Sequence, residues 1–213
     1  MRSDHRPLPC VYDPSMDGSR DVTGFILAGG KSTRMGMDKA FVDFEGRTLL
    51  ARALDLSRSV TPDVRIVGAQ EKFARFAPVV EDVFRDRGPL GGIHAALRSS
   101  VTDLNFMLAV DMPFVPLAFL QYLTSEARTA GKALVVVPRR DGDWQPLCAA
   151  YRTRFADAAE KALLAGRNKI DLLFDAAEIR VIDEEELDRA GFSSSIFRNL
   201  NTLEELEEQR RRA

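Results

Sequence analysis

Residues 25–39 read FILAGGKSTRMGMDK, an apolar run that ends in Gly29 and Gly30 and then strings together Lys31, Arg34 and Lys39. A strand emptying into a glycine-rich cationic loop is how an α/β protein holds an anion. The GGKS within it looks like the end of a Walker A loop. That motif, however, needs a glycine five positions before the one preceding the lysine, and Phe25 stands there. The dinucleotide fingerprint G-x-G-x-x-G fails as well, because Gly29, Gly30 and Gly36 are wrongly spaced. A P-loop NTPase is excluded, and a third kind of nucleotide loop remains. Paired glycines let backbone N–H groups approach an oxyanion, while Arg34 and Lys39 add a planar fork and a point charge suited to phosphate. Taken alone, the same residues also fit a tight turn with solvated cations.

Outward from this loop, short β-rich apolar runs alternate with longer helical patterns, which predicts β/α units around a mostly parallel sheet. Strands are expected at 22–28, 64–67, 79–81, 105–110, 133–138, 147–151 and 179–182. A helix at 48–59 places Leu49, Leu50, Ala53, Leu54 and Ser57 near one face, and one at 116–127 places Leu117, Leu120 and Leu123 at helical spacing. Residues 202–213 carry early glutamates and late arginines, the polarity that suits a helix dipole, with Asn201 or Thr202 as its N-cap. The fold class expected is a single Rossmann-like α/β domain over 21–213 with helices on both faces of the sheet. Residues 1–20 hold three prolines and no apolar periodicity and read as an irregular tail. Met16 is a candidate start of translation, an idea that Met1 or Arg2 at the N-terminus of native protein would sink.

The chain has 213 residues, 45% of them hydrophobic, enough for one generous core. Thirty Lys plus Arg against thirty-two Asp plus Glu leave a net charge of −2, so no global field points to nucleic acid or a membrane surface and any anion site is local. No apolar run reaches the roughly 18 to 20 residues a bilayer requires. Cys10 and Cys148 form no C-x-x-C, and two histidines, His5 and His94, do not make a zinc centre unaided. A reducing cytoplasm and a hard cation on carboxylates or amides fit this composition best.

In open α/β sheets ligands collect beyond the carboxyl ends of the strands, where the loops 29–39, 82–92 and 111–113 should meet. Asp111 follows the apolar run NFMLAV and should emerge there, placed either to ligate Mg²⁺ or to cap the next helix. Asp82 precedes RGPLGG, whose Gly88, Gly91 and Gly92 permit close approach to a flat ligand. The Asp82 carboxylate is placed either to accept from donors of such a ligand or to start the helix around 93–97. Asn199 and Asn201 alternate, so on a strand they share one face. Capping the last helix is the competing reading for that pair. Arg167, in AGRNKI, is a loop arginine that would otherwise be taken as solvated.

The whole string LAGGKSTRMGMDK resembles the N-terminal signature of the molybdenum cofactor guanylyltransferases, L-A-G-G-x-S-x-R-M-G-x-D-K, and meets every defined position. The likeness continues through EDVFRDRGPLGGI, AVDMPFV, QPLCAAY and FRNLNTLEEL, from about residue 24 to 206. The resemblance implies transfer of GMP from GTP to molybdopterin, with release of pyrophosphate. It also implies nucleotide contacts from Leu27, Ala28, Gly29, Gly30, Lys39, Asp82, Gly88 and Asp111, with Arg34, Lys39 and Asp111 catalytic. Asp111 and Asn201 would hold Mg²⁺, with Mn²⁺ as the alternative ion, and Arg167, Asn199 and Asn201 would face the pterin. Some members of the family place an asparagine after the second strand, where this chain has Val67 or Gly68, so a contact there would come from backbone. The partners implied are GTP and molybdopterin, then molybdoenzyme chaperones and molybdenum-insertion proteins, with no nucleic acid or membrane. Two rival readings are a cytidylyltransferase using CTP, which usually carries LAAG where this chain has LAGG, and a nucleotide-binding module without catalysis.

Overall fold

The computed structural model describes residues 21–29, 38–84, 86–174 and 178–200. The tail 1–20, the helix expected after residue 201, and Gly30, Arg34 and Asn201 of the expected site lie outside these residues.

In chain order the elements are β1 (Val22–Leu27), a small hairpin of β2 (Asp43–Phe44) and β3 (Arg47–Thr48), α1 (Leu49–Arg58), β4 (Val64–Val67), α2 (Gln70–Phe73) and β5 (Val79–Val80). There follow α3 (Pro89–Ser99), β6 (Leu104–Ala109), α4 (Leu117–Thr129), β7 (Val135–Arg140), β8 (Asp143–Trp144), β9 (Cys148–Arg152), α5 (Phe155–Leu164), β10 (Ile179–Ile182) and α6 (Glu184–Arg189). The central sheet runs β10-β7-β9-β6-β1-β4-β5, with β8 paired to β7. β1 lies parallel to both β4 and β6, with Leu27 opposite Val67 on one side and Ala109 on the other. The chain winds to one side of β1 through β4 and β5, then crosses to β6 on the other, so the switch point falls between β1 and β6.

The central strands are buried on both faces, which is why β1 and β6 read as continuous apolar runs rather than alternating ones. One face of the sheet is covered by α1, α4 and α6, the other by α3 and α5. α1 begins at Thr48, whose side chain accepts from the Ala51 N–H, and it buries Leu49, Leu50, Ala53, Leu54 and Ser57, the face its periodicity predicts. In α4 the stripe is shifted. Leu117 is exposed in the first turn while Phe119, Leu120, Leu123 and Ala127 are buried. Each fully buried Leu or Phe contributes ~1.5–3 kcal/mol, so packing rather than helix propensity holds these helices in place.

Two features depart from the simplest parallel reading. β9 runs antiparallel to both of its neighbours, β6 and β7. β7 and β8 form a hairpin around Asp141 (φ 53°) and Gly142 (φ 83°), the left-handed pair that a two-residue type I′ turn demands. The DG pair in RRDGDW is the sequence signal for that turn. Among the described residues, no helix is long and apolar enough to cross a membrane.

Candidate active site

β1 and β6 deliver their loops side by side at the switch point, and backbone bonds fix how they leave the sheet. Ala28 N–H donates to the Val67 carbonyl at 3.0 Å and Val110 N–H to the Leu27 carbonyl at 3.1 Å, which holds Ala28 and the Asp111 loop against the strand ends. Gly29, exposed at the β1 terminus, would meet only ordinary contacts if it carried a Cβ, the nearest at 3.7 Å. Among the described residues, packing therefore does not demand a glycine at that position.

Lys39 Nζ donates to Asp111 Oδ2 at 3.0 Å, with both side chains partly exposed at 24% and 19%. The loop after β1 and the loop after β6 are thus joined by an ammonium and a carboxylate where ligands of this fold class collect. Asp38 sits beside the pair, capping the short 3₁₀ turn at Lys39–Phe41 through Ala40 N–H and receiving Lys72 Nζ at 3.0 Å. Asp111 does not cap the next helix, since α4 starts after Pro116. The Asp111 carbonyl instead accepts the Leu200 N–H at 2.9 Å, which brings exposed Asn199 to the same corner.

Asp82 lies at the other end of this edge, beyond β5. It does not start α3, whose N-cap is Gly88 with Pro89 in the first turn. Gly88 has φ 68° and ψ −162°, a region open essentially to glycine alone. Gly91 has a different role from the ligand approach expected of it. A Cβ there would lie 2.5 Å from Asp82 Oδ2, so its missing side chain houses the Asp82 carboxylate. A Cβ on Gly92 would press Val67 Cγ1 at 3.3 Å, so this glycine serves helix-to-sheet packing. Of the three glycines only Gly88 faces open space. Phe84 N–H donates to Asp82 Oδ1 at 2.8 Å, and burial raises the carboxyl's pKa against the pull of that bond and of nearby His94.

Sequence reasoning weighed His94 only as a zinc ligand. The structure buries it on α3 with its ring edge-on to Phe84, centroids 5.1 Å apart, and neither ring nitrogen has a hydrogen-bond partner among the described residues. Burial lowers its pKa, so it walls the Asp82 loop as a neutral imidazole. At the strand ends, Gly68 N–H donates to the Val80 carbonyl and the Val67 carbonyl accepts from Ala28, so of the backbone groups at that position the Gly68 N–H is already committed. Arg167 is exposed just past α5, its N–H donating to the Ala162 carbonyl at 2.8 Å. It lies on the opposite side of β6 from Asp82.

The geometry therefore sets a glycine-led loop, a Lys–Asp pair and a buried-edge aspartate along one sheet edge. Residues 24–179 match the MobA-like NTP transferase domain. The chain belongs to this family. The molybdenum cofactor guanylyltransferase of Desulfosudis oleivorans is 36% identical over 189 residues, 87% of this chain and 93% of that protein. The namesake enzyme of Syntrophotalea carbinolica is 33% identical over 189 residues, covering 87% and 89%. Among solved structures, the molybdopterin-guanine dinucleotide biosynthesis protein A of Archaeoglobus fulgidus superposes with a TM-score of 0.75 at 30% identity, covering 87% of this chain and 95% of that one. As a member of the family the protein is a nucleotidyltransferase, and the matched residues span both the loop after β1 and the Asp111 corner.

Proposed function

We propose that the protein transfers GMP from GTP to the terminal phosphate of molybdopterin, giving the guanine dinucleotide cofactor and pyrophosphate. The observation that carries the reading is the Lys39–Asp111 pair at the β1/β6 switch point, with the Asp82–Gly88 loop on the same edge. The names of relatives that cover nearly the whole chain support the base and the acceptor.

The acceptor is a phosphate monoester whose second pKa is ~6, so it is mostly dianionic at neutral pH and needs no general base. Its oxygen attacks the α-phosphorus of GTP, a new O–P bond forms, and the bond from that phosphorus to the bridging oxygen breaks as pyrophosphate leaves. The obstacle is the approach of two anions, which positioning and charge neutralisation overcome. In this scheme Lys39 moves from Asp111 to the triphosphate, Arg34 pairs with phosphate oxygens, and backbone N–H groups of Gly29 and Gly30 hold them. Leu27 and Ala28 set the floor below. Asp82 accepts from the guanine edge, and Gly88 shapes the loop beneath the nucleotide.

Asp111 fits a divalent cation by its chemistry, because Mg²⁺ commonly takes one or two carboxylates and fills its shell with substrate phosphates and water. No group of three or more His, Cys, Asp or Glu gathers among the described residues, so most oxygens would come from the substrates and from Asn201. When bound, Mg²⁺ or Mn²⁺ would supply neutralisation of the triphosphate charge. Arg167 and Asn199 contact the acceptor, and molybdoenzyme chaperones or insertion proteins receive the product in the cytoplasm.

The test is pyrophosphate release with molybdopterin and Mg²⁺, comparing GTP, CTP and ATP. Release with GTP alone is expected. Preference for CTP would overturn the base assignment, and tight GTP binding without release would leave a binding module.

A further inference from the structure

The hairpin of β7 and β8 and the turn that follows α5 enclose a cleft of about 480 Å³, lined by Gly142, Asp143, Trp144, Pro146, Ile170 and Asp171. That volume suits a small organic ligand, for which roughly 300–1,000 Å³ is usual. The cleft opens on the reacting edge. Pro146 precedes Leu147, whose carbonyl accepts the Ala109 N–H at 2.8 Å, and Ala109 ends β6 two residues before Asp111. β7 lies two strand spacings, ~10 Å, from β6, so the hairpin that walls the cleft and the strand that leads to Asp111 are close neighbours in the sheet. Another cavity, of about 260 Å³, lies beside α1 and is floored by Leu49, Leu56 and Leu108, with no aromatic wall.

The walls of the larger cleft are built and held. The Arg139 guanidinium covers Trp144 at 4.9 Å and Phe174 meets it edge-on at 5.3 Å, so the indole's orientation is fixed. The hydroxyl of fully buried Tyr151 donates to the Pro146 carbonyl at 2.7 Å and pins the floor. The rim carries two carboxylates, Asp143 and Asp171, that make no side-chain hydrogen bond or ion pair with the described residues. A flat heterocycle with N–H donors along one edge matches an indole wall, a proline floor and acceptor groups at the rim. The 2-amino-4-oxopyrimidine edge has this pattern and occurs in both pterin and guanine.

We infer that this cleft binds the pterin ring of the acceptor, with Trp144 as its wall and Asp171 accepting from its 2-amino edge. The inference rests on the guanylyltransferase reading, and the ~10 Å lateral separation of β7 and β6 is on the scale of the acceptor's pyran ring and methylene phosphate. Guanine is assigned away from the cleft because Asp82 and Gly88 lie on the other side of β6.

Trp144 is the chain's single tryptophan and reports on its own site. The full-length protein is titrated anaerobically with molybdopterin, and separately with GTP, while tryptophan emission is followed. Saturable quenching by molybdopterin alone is expected. Asp171→Asn, an exposed change whose melting curve should match the parent's, should raise the half-saturation point and the molybdopterin KM by about three- to tenfold while leaving the GTP KM unchanged. Turnover with silent emission and an unaltered Asp171→Asn KM would overturn the cleft and leave the reaction standing. Quenching by GTP that Asp171→Asn weakens would place guanine there and overturn the pterin assignment. Quenching by molybdopterin that weakens in Asp171→Asn, without pyrophosphate release from any nucleotide, would support the cleft and defeat the transfer reaction. Neither quenching nor turnover would remove both.

Discussion

On one side of Asp111, β1, β4 and β5 run parallel, and the chain returns through helices before each new strand. On the other side β9 doubles back, and β7 and β8 are joined by a two-residue turn. Parallel neighbours require crossovers, and a crossover helix that follows a strand begins at the carboxyl edge, where its N–H groups and positive dipole end face the ligand. α3 is such a helix, with Gly88 and the Asp82 carboxylate at its first turn. A reversed strand inverts the arrangement. α5 follows β9 from the far edge and arrives at the reacting edge with its C-terminus, beside Asp171. The two halves therefore present opposite helix ends to the same sheet edge, the N-terminus of α3 on one side and the C-terminus of α5 on the other.

The strongest way to break this contrast is at its centre. Asp111→Asn should lower turnover at saturating Mg²⁺ by about two to three orders of magnitude with the thermal melt unchanged; an unchanged kcat would take Asp111 out of the metal site. Lys39→Ala removes a hydrogen-bonding charge worth ~1.5–3 kcal/mol, so kcat/KM for GTP should fall about ten- to a hundredfold. A loss confined to the acceptor's KM would put Lys39 on the wrong side of the divide.

Two substitutions sharpen the comparison side by side. Gly88→Ala forces a side chain into φ 68°, a strain of about 1–3 kcal/mol, and should raise the GTP KM without touching the molybdopterin KM. Tyr151→Phe deletes the hydrogen bond to the Pro146 carbonyl and should cost ~1 kcal/mol, a melting shift of roughly 2–4 °C, with the opposite pattern of KM changes. Equal effects of both variants on both substrates would mean that the halves are not separable.

The smallest effect is on stability. Burial raises the pKa of Asp82 in the folded protein, so its contribution is most favourable below the unfolded carboxyl's pKa and is lost as pH rises through the folded value. Asp82→Asn removes that penalty and should melt slightly higher than the parent at neutral pH. The gap should close as pH falls through and below the ordinary carboxylate range. Melting curves across that range check it, and a gap that widens on acidification would contradict the burial argument.

Much of the parallel half was legible because burial writes itself into local pattern. The strand at 64–67 and the buried face of α1 follow residue for residue from apolar periodicity. The placement of Asp111 was legible from the apolar strand before it, while its meeting with Lys39 was not. On the antiparallel side the strands near 133–138, 147–151 and 179–182 were legible from their apolar runs, but the reversal of β9 and the two-residue β8 were not. Gly91 shows the limit for a single residue, since its glycine is explained by a carboxylate from a distant loop.

By itself the sequence determined the fold class, most of the strands of the central sheet and the buried face of α1, because these depend on periodicity carried within short stretches. The tertiary structure alone decided that β9 runs backward, that Lys39 meets Asp111, that Leu200 closes on the Asp111 carbonyl, and that Trp144, Pro146 and Asp171 share a cleft. Strand direction and these meetings depend on how distant segments satisfy each other's hydrogen bonds and buried surface, which no local window of residues specifies.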